Sequence, residues 1–327
     1  MARMLAAAKR RLVAAVDGWQ RSHAIGGFPV AVARKFGEDR ASSLAALSAY
    51  YAFFSLFPLL LAFVSILGFV LEGDPTLRDD VIDTALARIP VIGPELRDDV
   101  QPLTGSGVAL AVGLAGALWA GLGVTVALDR AFSEIWDVPR LDQPSGLKAR
   151  ARGLLALTAF GFTLIAATVA AGFAVGGGID AAAERVLAIA GSLAVNAIVF
   201  LTVFALLTPH RPALPALLPG VALAAAGMLA LQSLGGWYVD RTVSGADATY
   251  GVFALVIGLL SWFFIAAHLL LIAAEVNVVL ARRLWPRSLA GALTPADERA
   301  LRRIAEGTRR DPRQRIAVTF EEPPDLP

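Results

Sequence analysis

The sequence predicts an all-α integral membrane protein, a helical bundle of six transmembrane helices whose N and C termini are both cytoplasmic. Three observations predict it: few charged residues, six long apolar segments, and an uneven distribution of Lys and Arg. Of the 327 residues, 57% are hydrophobic and 17% charged, whereas soluble domains carry about 25% charged residues. The chain has no cysteine, which excludes disulfides, thiolate catalysis and cysteine-based metal sites.

Each of the six apolar segments is long enough to cross a bilayer. A hydrocarbon core about 30 Å thick requires roughly 20 apolar residues of helix, and buried helices of soluble proteins are rarely so long and so uniformly apolar. The predicted spans are residues 44–71, 107–128, 153–177, 188–208, 216–236 and 251–281.

The spans divide the chain into three parts. Residues 1–43 form a basic cytoplasmic segment, and we interpret its residues 1–22 as either an amphipathic surface helix or a frayed tail. Residues 44–283 form the transmembrane domain. Residues 284–327 form a cytoplasmic tail in which Thr294 as N-cap, Pro295 at the first position and Gly307 after the end predict a short helix. The residues after that helix are predicted to be disordered.

Lys and Arg lie mainly on one side of the predicted membrane. The segments before span one, between spans two and three, between spans four and five, and after span six hold 24 of the 29 basic residues, and the other links hold 5. Because cytoplasmic loops are enriched in Lys and Arg, both termini are predicted to be cytoplasmic. The expected location is the cytoplasmic (inner) membrane, crossed several times.

Small residues and one proline predict how spans one and two pack. Pro58 lies in the middle of span one, where a neighbouring helix or a serine hydroxyl can satisfy the freed carbonyl. On span two, Gly113, Gly116 and Gly123 share one face, and small residues let helices approach closely in lipid. This face suits packing within the bundle and a dimer equally well, so the oligomeric state is not predicted.

Span six carries a line of polar residues, which is unusual for a membrane helix. Ser261, His268, Glu275 and Arg282 are spaced seven apart, so they lie along one stripe of a straight helix, and Asn277 lies beside it. Ionisable groups within a span are costly and normally face the bundle interior or a wet cavity. We leave two interpretations open: an ion pair of Glu275 with an arginine of another segment, or a polar cavity that binds a head group or passes a proton.

Other spans carry isolated polar side chains. On span one, Ser48, Tyr51 and Ser55 recur at helical intervals and form a small or polar face. Asn196 is the strongly polar side chain of span four, and such a residue more often bonds a neighbouring helix than a substrate. These residues are the remaining candidates for a polar cavity or a packing site.

Several of these segments resemble the YihY/virulence factor BrkB family over about residues 28–285. The resemblance is carried by AYYAFFSLFPLLL at 49–61, IWDVPR at 135–140, Asn196 with Pro209, and Tyr250, Gly251, Trp262, Glu275 and Asn277. It implies a six-helix inner-membrane protein, for which roles in envelope integrity, lipid movement and serum resistance have been suggested. Some relatives carry a ribonuclease label.

The leading functional hypothesis is a transporter-like membrane protein that moves or senses a lipid or another amphipathic solute in envelope maintenance. The alternative is a non-transporting scaffold of the cell envelope in which the polar groups only specify packing. A ribonuclease or other membrane hydrolase is the weakest hypothesis, because no catalytic motif is present. No enzymatic activity, metal, cofactor or nucleic-acid partner is expected; membrane lipids are the expected partners.

Overall fold

The structure is a computed structural model that describes residues 13–70, 107–144, 146–156, 158–159, 181–209, 212–246, 251–290 and 292–321. Within these ranges all regular secondary structure is helical, which confirms the all-α fold class. The main helices are α1 (Ala24–Glu38), α2 (Ala41–Val70), α3 (Gly107–Ile135), α4 (Ala181–Leu207), α5 (Leu214–Ala246), α6 (Gly251–Arg282) and α7 (Pro295–Gly307). Residues 13–22 and 146–156 are also helical.

In the described part of the chain, 5 helices are long and apolar enough to cross a membrane. Their apolar stretches are Ala41–Leu59, Ala111–Ile135, Arg185–Leu207, Leu214–Leu234 and Val256–Arg282. The prediction of an integral membrane bundle is thereby confirmed. Most of the predicted third span, residues 153–177, lies outside the described residues. The six-span count, the cytoplasmic termini and the three-part division therefore stay predictions.

Two helices extend beyond the predicted ends of their spans. Span two was expected to end at residue 128, but α3 and its apolar stretch both continue to Ile135. Ala131, Phe132 and Ile135 are fully buried, because the apolar face of the helix continues through this charged segment. Helix α5 likewise extends to Ala246, beyond the predicted end at residue 236.

The tail helix has the predicted start. Thr294 is the N-cap of α7, and its side chain accepts a hydrogen bond from the Asp297 amide at 3.1 Å while Asp297 accepts one in return. This reciprocal capping box satisfies two backbone donors that the first helical turn leaves free. Gly307 is the last residue of the helix and Thr308 its C-cap, one position later than expected.

The buried side chains of the described helices concentrate at one end of the bundle. They come from the first halves of α2 and α5, which begin at this end, and from the last halves of α3, α4 and α6, which end there. Helix α6 packs against α1, α2 and α5, and α2 packs along α3. We call this end, where α1, α7 and the start of the tail also lie, the basic end.

Helices α2 and α3 approach closely where the predicted packing residues lie. A Cβ added to Gly116 would lie 3.2 Å from Cβ of Pro58, and one added to Gly123 would lie 2.9 Å from the Tyr51 ring. The glycines therefore make room for Pro58 and Tyr51 of the neighbouring helix, as small residues do in membrane helix pairs. Gly113, on the same face of α3, is buried.

Candidate functional site

Five ionisable side chains meet at the basic end of the bundle, and we call them the ion cluster. They come from three places in the chain that the fold brings together: α1 with its C-cap, the turn that follows α3, and the last part of α6. The members are Lys35, Asp39, Asp137, Glu275 and Arg282.

Lys35 holds the carboxylates of the ion cluster together. Its Nζ lies 2.5 Å from Oδ2 of Asp39, 3.5 Å from Oδ1 of Asp137 and 4.0 Å from Oε2 of Glu275. Only 2% of Lys35 is exposed. Burial alone would lower the pKa of Lys35, but Glu275, Asp39 and Asp137 outweigh it and raise that pKa. Lys35 is therefore charged at every physiological pH.

Arg282 ties α6 to the turn after α3. Its guanidinium forms an ion pair with Asp137, donates a hydrogen bond to the Trp136 carbonyl and lies 5.4 Å from the centre of the Trp136 ring. Asp137 has a φ of 46°, in the left-handed region that costs a non-glycine residue roughly 1 kcal/mol. This backbone conformation turns the Asp137 carboxylate toward both Lys35 and Arg282.

Asp39 caps the end of α1 and completes the cluster. Burial raises the pKa of Asp39 to about 6, although the nearby Lys35 ammonium opposes the shift. The neighbouring Asp137 carboxylate raises that pKa further by repulsion. A buried carboxyl group at the basic end therefore changes its charge near neutral pH.

Glu275 is the most enclosed member of the ion cluster. None of its surface is exposed, and no group in the described part of the chain donates a hydrogen bond to either carboxylate oxygen. The Asp39 carboxyl group lies beside it and can share a proton with it. Lys35 is the basic group nearest to Glu275, at 4.0 Å. The sequence analysis considered an arginine as partner, whereas the structure places a lysine there.

Asn277 fixes the contact between α5 and α6. Its Oδ1 accepts a hydrogen bond of 2.7 Å from the Gly220 amide. A Cβ at Gly220 would lie 2.3 Å from the Ala273 carbonyl oxygen and 2.4 Å from Nδ2 of Asn277, so only glycine fits without displacement. Asn277 therefore acts in helix packing, beside the ion cluster rather than within it.

Ser261 and His268, the two stripe residues nearer the start of α6, do not join the ion cluster. His268 is partly buried; its Nδ1 lies 3.0 Å from the Phe264 carbonyl and its Nε2 lies 3.2 Å from Oγ of Ser42. Ser261 is exposed on the helix surface. The stripe thus passes from an exposed end at Ser261 to a fully buried end at Glu275.

The polar residues of spans one and four bond locally. Ser48 donates to the Leu44 carbonyl and Ser55 to the Ala52 carbonyl, both at 2.8 Å, a common arrangement for hydroxyls within a helix. Tyr51 is 38% exposed. Asn196 donates to Gln232 of α5 at 3.4 Å. The contacts of these candidates in the described residues are therefore those of helix backbones and neighbouring helices.

A second polar cluster joins the N-terminal segment to the tail. Arg287 and Asp297, both fully buried, pair at 2.7 Å, and Arg287 also donates to Glu38 of α1 at 2.7 Å. Asp17 accepts a hydrogen bond from the Leu289 amide at 2.6 Å. Segments from opposite ends of the chain thus form one covering layer over the basic end.

The sequence analysis did not single out Lys35, Asp39 or Asp137. Two signals could have found them. Lys35 and Asp39 stand four residues apart on one helix face, the spacing of an ion pair. Asp137 lies inside the IWDVPR segment, which was noted only for the family resemblance. Nothing in the sequence pairs either segment with Glu275, since the contacts depend on the tertiary fold.

The chain matches the family profile described as "Virulence factor BrkB" over residues 32–296. It belongs to the virulence factor BrkB family. The matched region contains the whole ion cluster, and two of the segments that carry the resemblance, at 135–140 and around Glu275, meet in it. The cluster is therefore the place where separate family segments contact one another.

Curated relatives are similar to the chain over most of its length. Inner membrane protein YhjD of Escherichia coli is 27% identical over 263 residues, 73% of this chain and 77% of YhjD. YfkH of Bacillus subtilis, which bears a ribonuclease-like name, is 25% identical over 261 residues, 76% of this chain and 91% of YfkH. A UPF0761 membrane protein of Halorhodospira halophila is 27% identical over 271 residues, 79% of this chain and 58% of the relative. No solved structure shows a significant match.

These findings make the protein a multi-pass protein of the cell membrane. The described residues contain no group of three or more His, Cys, Asp or Glu side chains arranged to hold a metal ion.

Proposed function

We propose that this BrkB-family protein moves or senses an amphipathic solute, with a lipid as the favoured class, and that the ion cluster closes the cytoplasmic end of its bundle. The observation that supports the proposal is the clustering, at the basic end, of five ionisable side chains from three separate segments, none of them more than 13% exposed. Charges in such a place are costly unless paired, so they are expected where a bundle has to close against water and open again.

The packing of the helices supports the same proposal. Side-chain burial is concentrated at the basic end, whereas the opposite halves of the described spans carry many exposed apolar side chains. Examples are Trp119 of α3, Ile189 of α4 and Phe253 of α6. The apolar side chains exposed on these helix faces suit an apolar solute that reaches the bundle from the membrane.

The second candidate is a structural protein of the envelope that transports nothing. It is favoured by the complete burial of Glu275 and by the hydrogen-bonding neighbours of both His268 nitrogens. In this alternative the ion cluster only fixes the position of α1 against α6.

Lipid exchange in reconstituted vesicles separates the two candidates. Vesicles containing labelled lipids with several head groups should show faster transbilayer exchange with the full-length protein than without it. Glu275→Gln should change the rate, while Glu134→Gln, which removes an exposed carboxylate near the end of α3, should not. If no head group exchanges faster, the transport proposal is rejected and the structural role is favoured.

We propose a non-enzymatic role for this chain. The ribonuclease-like name belongs to YfkH, and the ionisable groups assembled by this fold are buried at a membrane boundary, where RNA does not reach them. Purified protein should leave structured RNA intact; reproducible cleavage that disappears in Glu275→Gln would reverse this view.

A further inference from the structure

The ion cluster has more acidic than basic members. Three carboxyl groups, those of Asp39, Asp137 and Glu275, face two cations, those of Lys35 and Arg282. Full ionisation would leave one uncompensated negative charge in a buried place, and an unpaired buried charge is costly. One bound proton would make the charges equal.

The other elements packed against α6 do not supply the missing positive charge. Residues 41–70 of α2 and 214–239 of α5 contain no Asp, Glu, Lys, Arg or His. On α3, which also packs against α6, Asp129 pairs with Arg152, and Arg130 and Glu134 are exposed. On α6 itself, His268 lies about two turns from Glu275 and bonds toward Ser42. Arg303 of α7 acts on Arg282 by charge repulsion. The balance is therefore decided among the five members of the ion cluster.

The geometry distinguishes Glu275 from the other two carboxyl groups. Asp39 has Lys35 at 2.5 Å, and Asp137 has both Arg282 and Lys35. Among the described residues, Glu275 has Lys35 at 4.0 Å as its basic neighbour, no exposed surface and no donor to either oxygen. Its other polar neighbour is the Asp39 carboxyl group, and two carboxyl groups can share a hydrogen bond only when one of them holds a proton. Glu275 is the carboxyl group with the weakest compensation.

We propose that the ion cluster is a proton-binding site in which Glu275 carries the proton while the basic end is closed. When α1 moves away from α6 and takes Lys35 with it, Glu275 meets water and the proton passes to the cytoplasmic solution. Proton release thus accompanies opening, and a proton is the ion coupled to the movement. The coupling rests on the proposed function of the cluster as the closure of the bundle; proton binding does not.

The titration of Asp39 supports this assignment. Burial raises the pKa of Asp39 to about 6, against the effect of Lys35. When Asp39 is ionised above that pH, it shares the Lys35 ammonium with Glu275, and that ammonium lies closer to Asp39. Below that pH, the cluster takes up protons as a group, as interacting sites do.

Infrared spectroscopy tests the proton site directly. At pH 7 the full-length protein in lipid should show the carbonyl stretch of one protonated carboxyl group. The band should disappear in Glu275→Gln and also in Asp39→Asn, because two carboxylates then face two cations. It should persist in Glu134→Gln. Absence of the band in the wild type, or its persistence in both cluster variants, would overturn the proposal.

Cysteine labelling tests the coupling to opening. The chain has no cysteine, so Val279→Cys, a fully buried position one turn from Glu275, reports solvent access to this face of α6. Labelling by a water-soluble maleimide should increase with pH more steeply than at the exposed control Ala281→Cys. When Glu275→Gln is added, the labelling of Val279→Cys should increase with pH no more steeply than that of Ala281→Cys. If the steeper increase remained, the coupling of proton release to opening would be rejected.

These measurements do not depend on transport. If lipid exchange fails but the infrared band and the labelling behave as expected, the proposed function is wrong and the proton site remains. If lipid exchange is found but the band is absent, the proton proposal alone is rejected.

Discussion

Lys35 shows how one side chain can decide the state of a whole site. It is one of three lysines in the chain, and its ammonium contacts carboxylates from α1, from the turn after α3 and from α6. Removing one partner of a buried charge pair leaves the other charges without compensation. The free energy of unfolding should therefore depend far more on Lys35 than on basic residues at the surface.

Lys35→Met keeps much of the volume of the side chain and removes its charge. We expect it to lower the free energy of unfolding by about 3–5 kcal/mol, the usual effect of breaking a buried ion pair. Lys148→Met, at an exposed position, should change it by less than about 0.5 kcal/mol. Denaturant unfolding in detergent measures both; equal effects would contradict the role of Lys35.

Where α5 crosses α6, the two helices are so close that one added methyl group would disturb their contact. Gly220 lies against the Ala273 carbonyl and the Asn277 amide, and its own amide donates to Asn277. Because protein interiors are close-packed, an added methyl group at such a place forces the helices apart.

Gly220→Ala should therefore destabilise the protein by about 1–3 kcal/mol, the typical cost of overpacking. Gly191 of α4 is the matched control, since a Cβ there has no atom within 4 Å. Gly191→Ala should stabilise by about 0.5–1 kcal/mol, because alanine is the better helix former. Thermal unfolding of both variants measures the difference, and the same sign of change at both glycines would contradict it.

The tail is held to the N-terminal segment by a carboxylate whose charge depends on pH. Burial opposes ionisation of Asp297, but hydrogen bonds from Arg287, Thr294 and Ser288 outweigh it and lower the pKa of Asp297 below its ordinary value of 3.8. A lowered folded-state pKa means that the stabilisation is complete above the ordinary value and disappears as the pH falls through the lower one.

Docking of the tail should accordingly be unchanged from neutral pH down to about pH 5 and weaken only in strong acid. Hydrogen exchange of residues 288–297, corrected for the intrinsic effect of pH, measures it. Asp297→Asn should show the weakened state already at pH 7. Loss of protection in the wild type between pH 7 and 5 would contradict this assignment.

On the scale of the whole molecule, the distribution of basic residues predicts the direction of insertion. The ion cluster, α7 and the tail all lie at the basic end, so one orientation places them all in the cytoplasm. The N-terminal segment and the tail both lie at this end, so the chain has to cross the membrane an even number of times. The predicted third span therefore decides the topology of the helices around it.

The absence of cysteine makes this topology testable by labelling. In spheroplasts, an impermeant maleimide should label Asp80→Cys and Ala182→Cys, at predicted outer links, without permeabilisation. Glu306→Cys, on the exposed surface of α7, should react only after permeabilisation. If Ala182→Cys did not react from outside, the prediction of a third span would be wrong. If Glu306→Cys reacted without permeabilisation, the predicted orientation would be wrong.

The sequence by itself determined the membrane class, the approximate positions of five spans in the described residues, the cap of α7 and the polar stripe on α6. These follow from hydropathy and helical periodicity, which depend only on neighbours in the chain. Only the tertiary structure decided that Glu275 faces Lys35, that Asp137 joins Arg282, and that Ser261 and Asn196 lie elsewhere. Periodicity places a side chain on a face of its own helix, but which distant segment covers that face depends on the packing of the whole bundle.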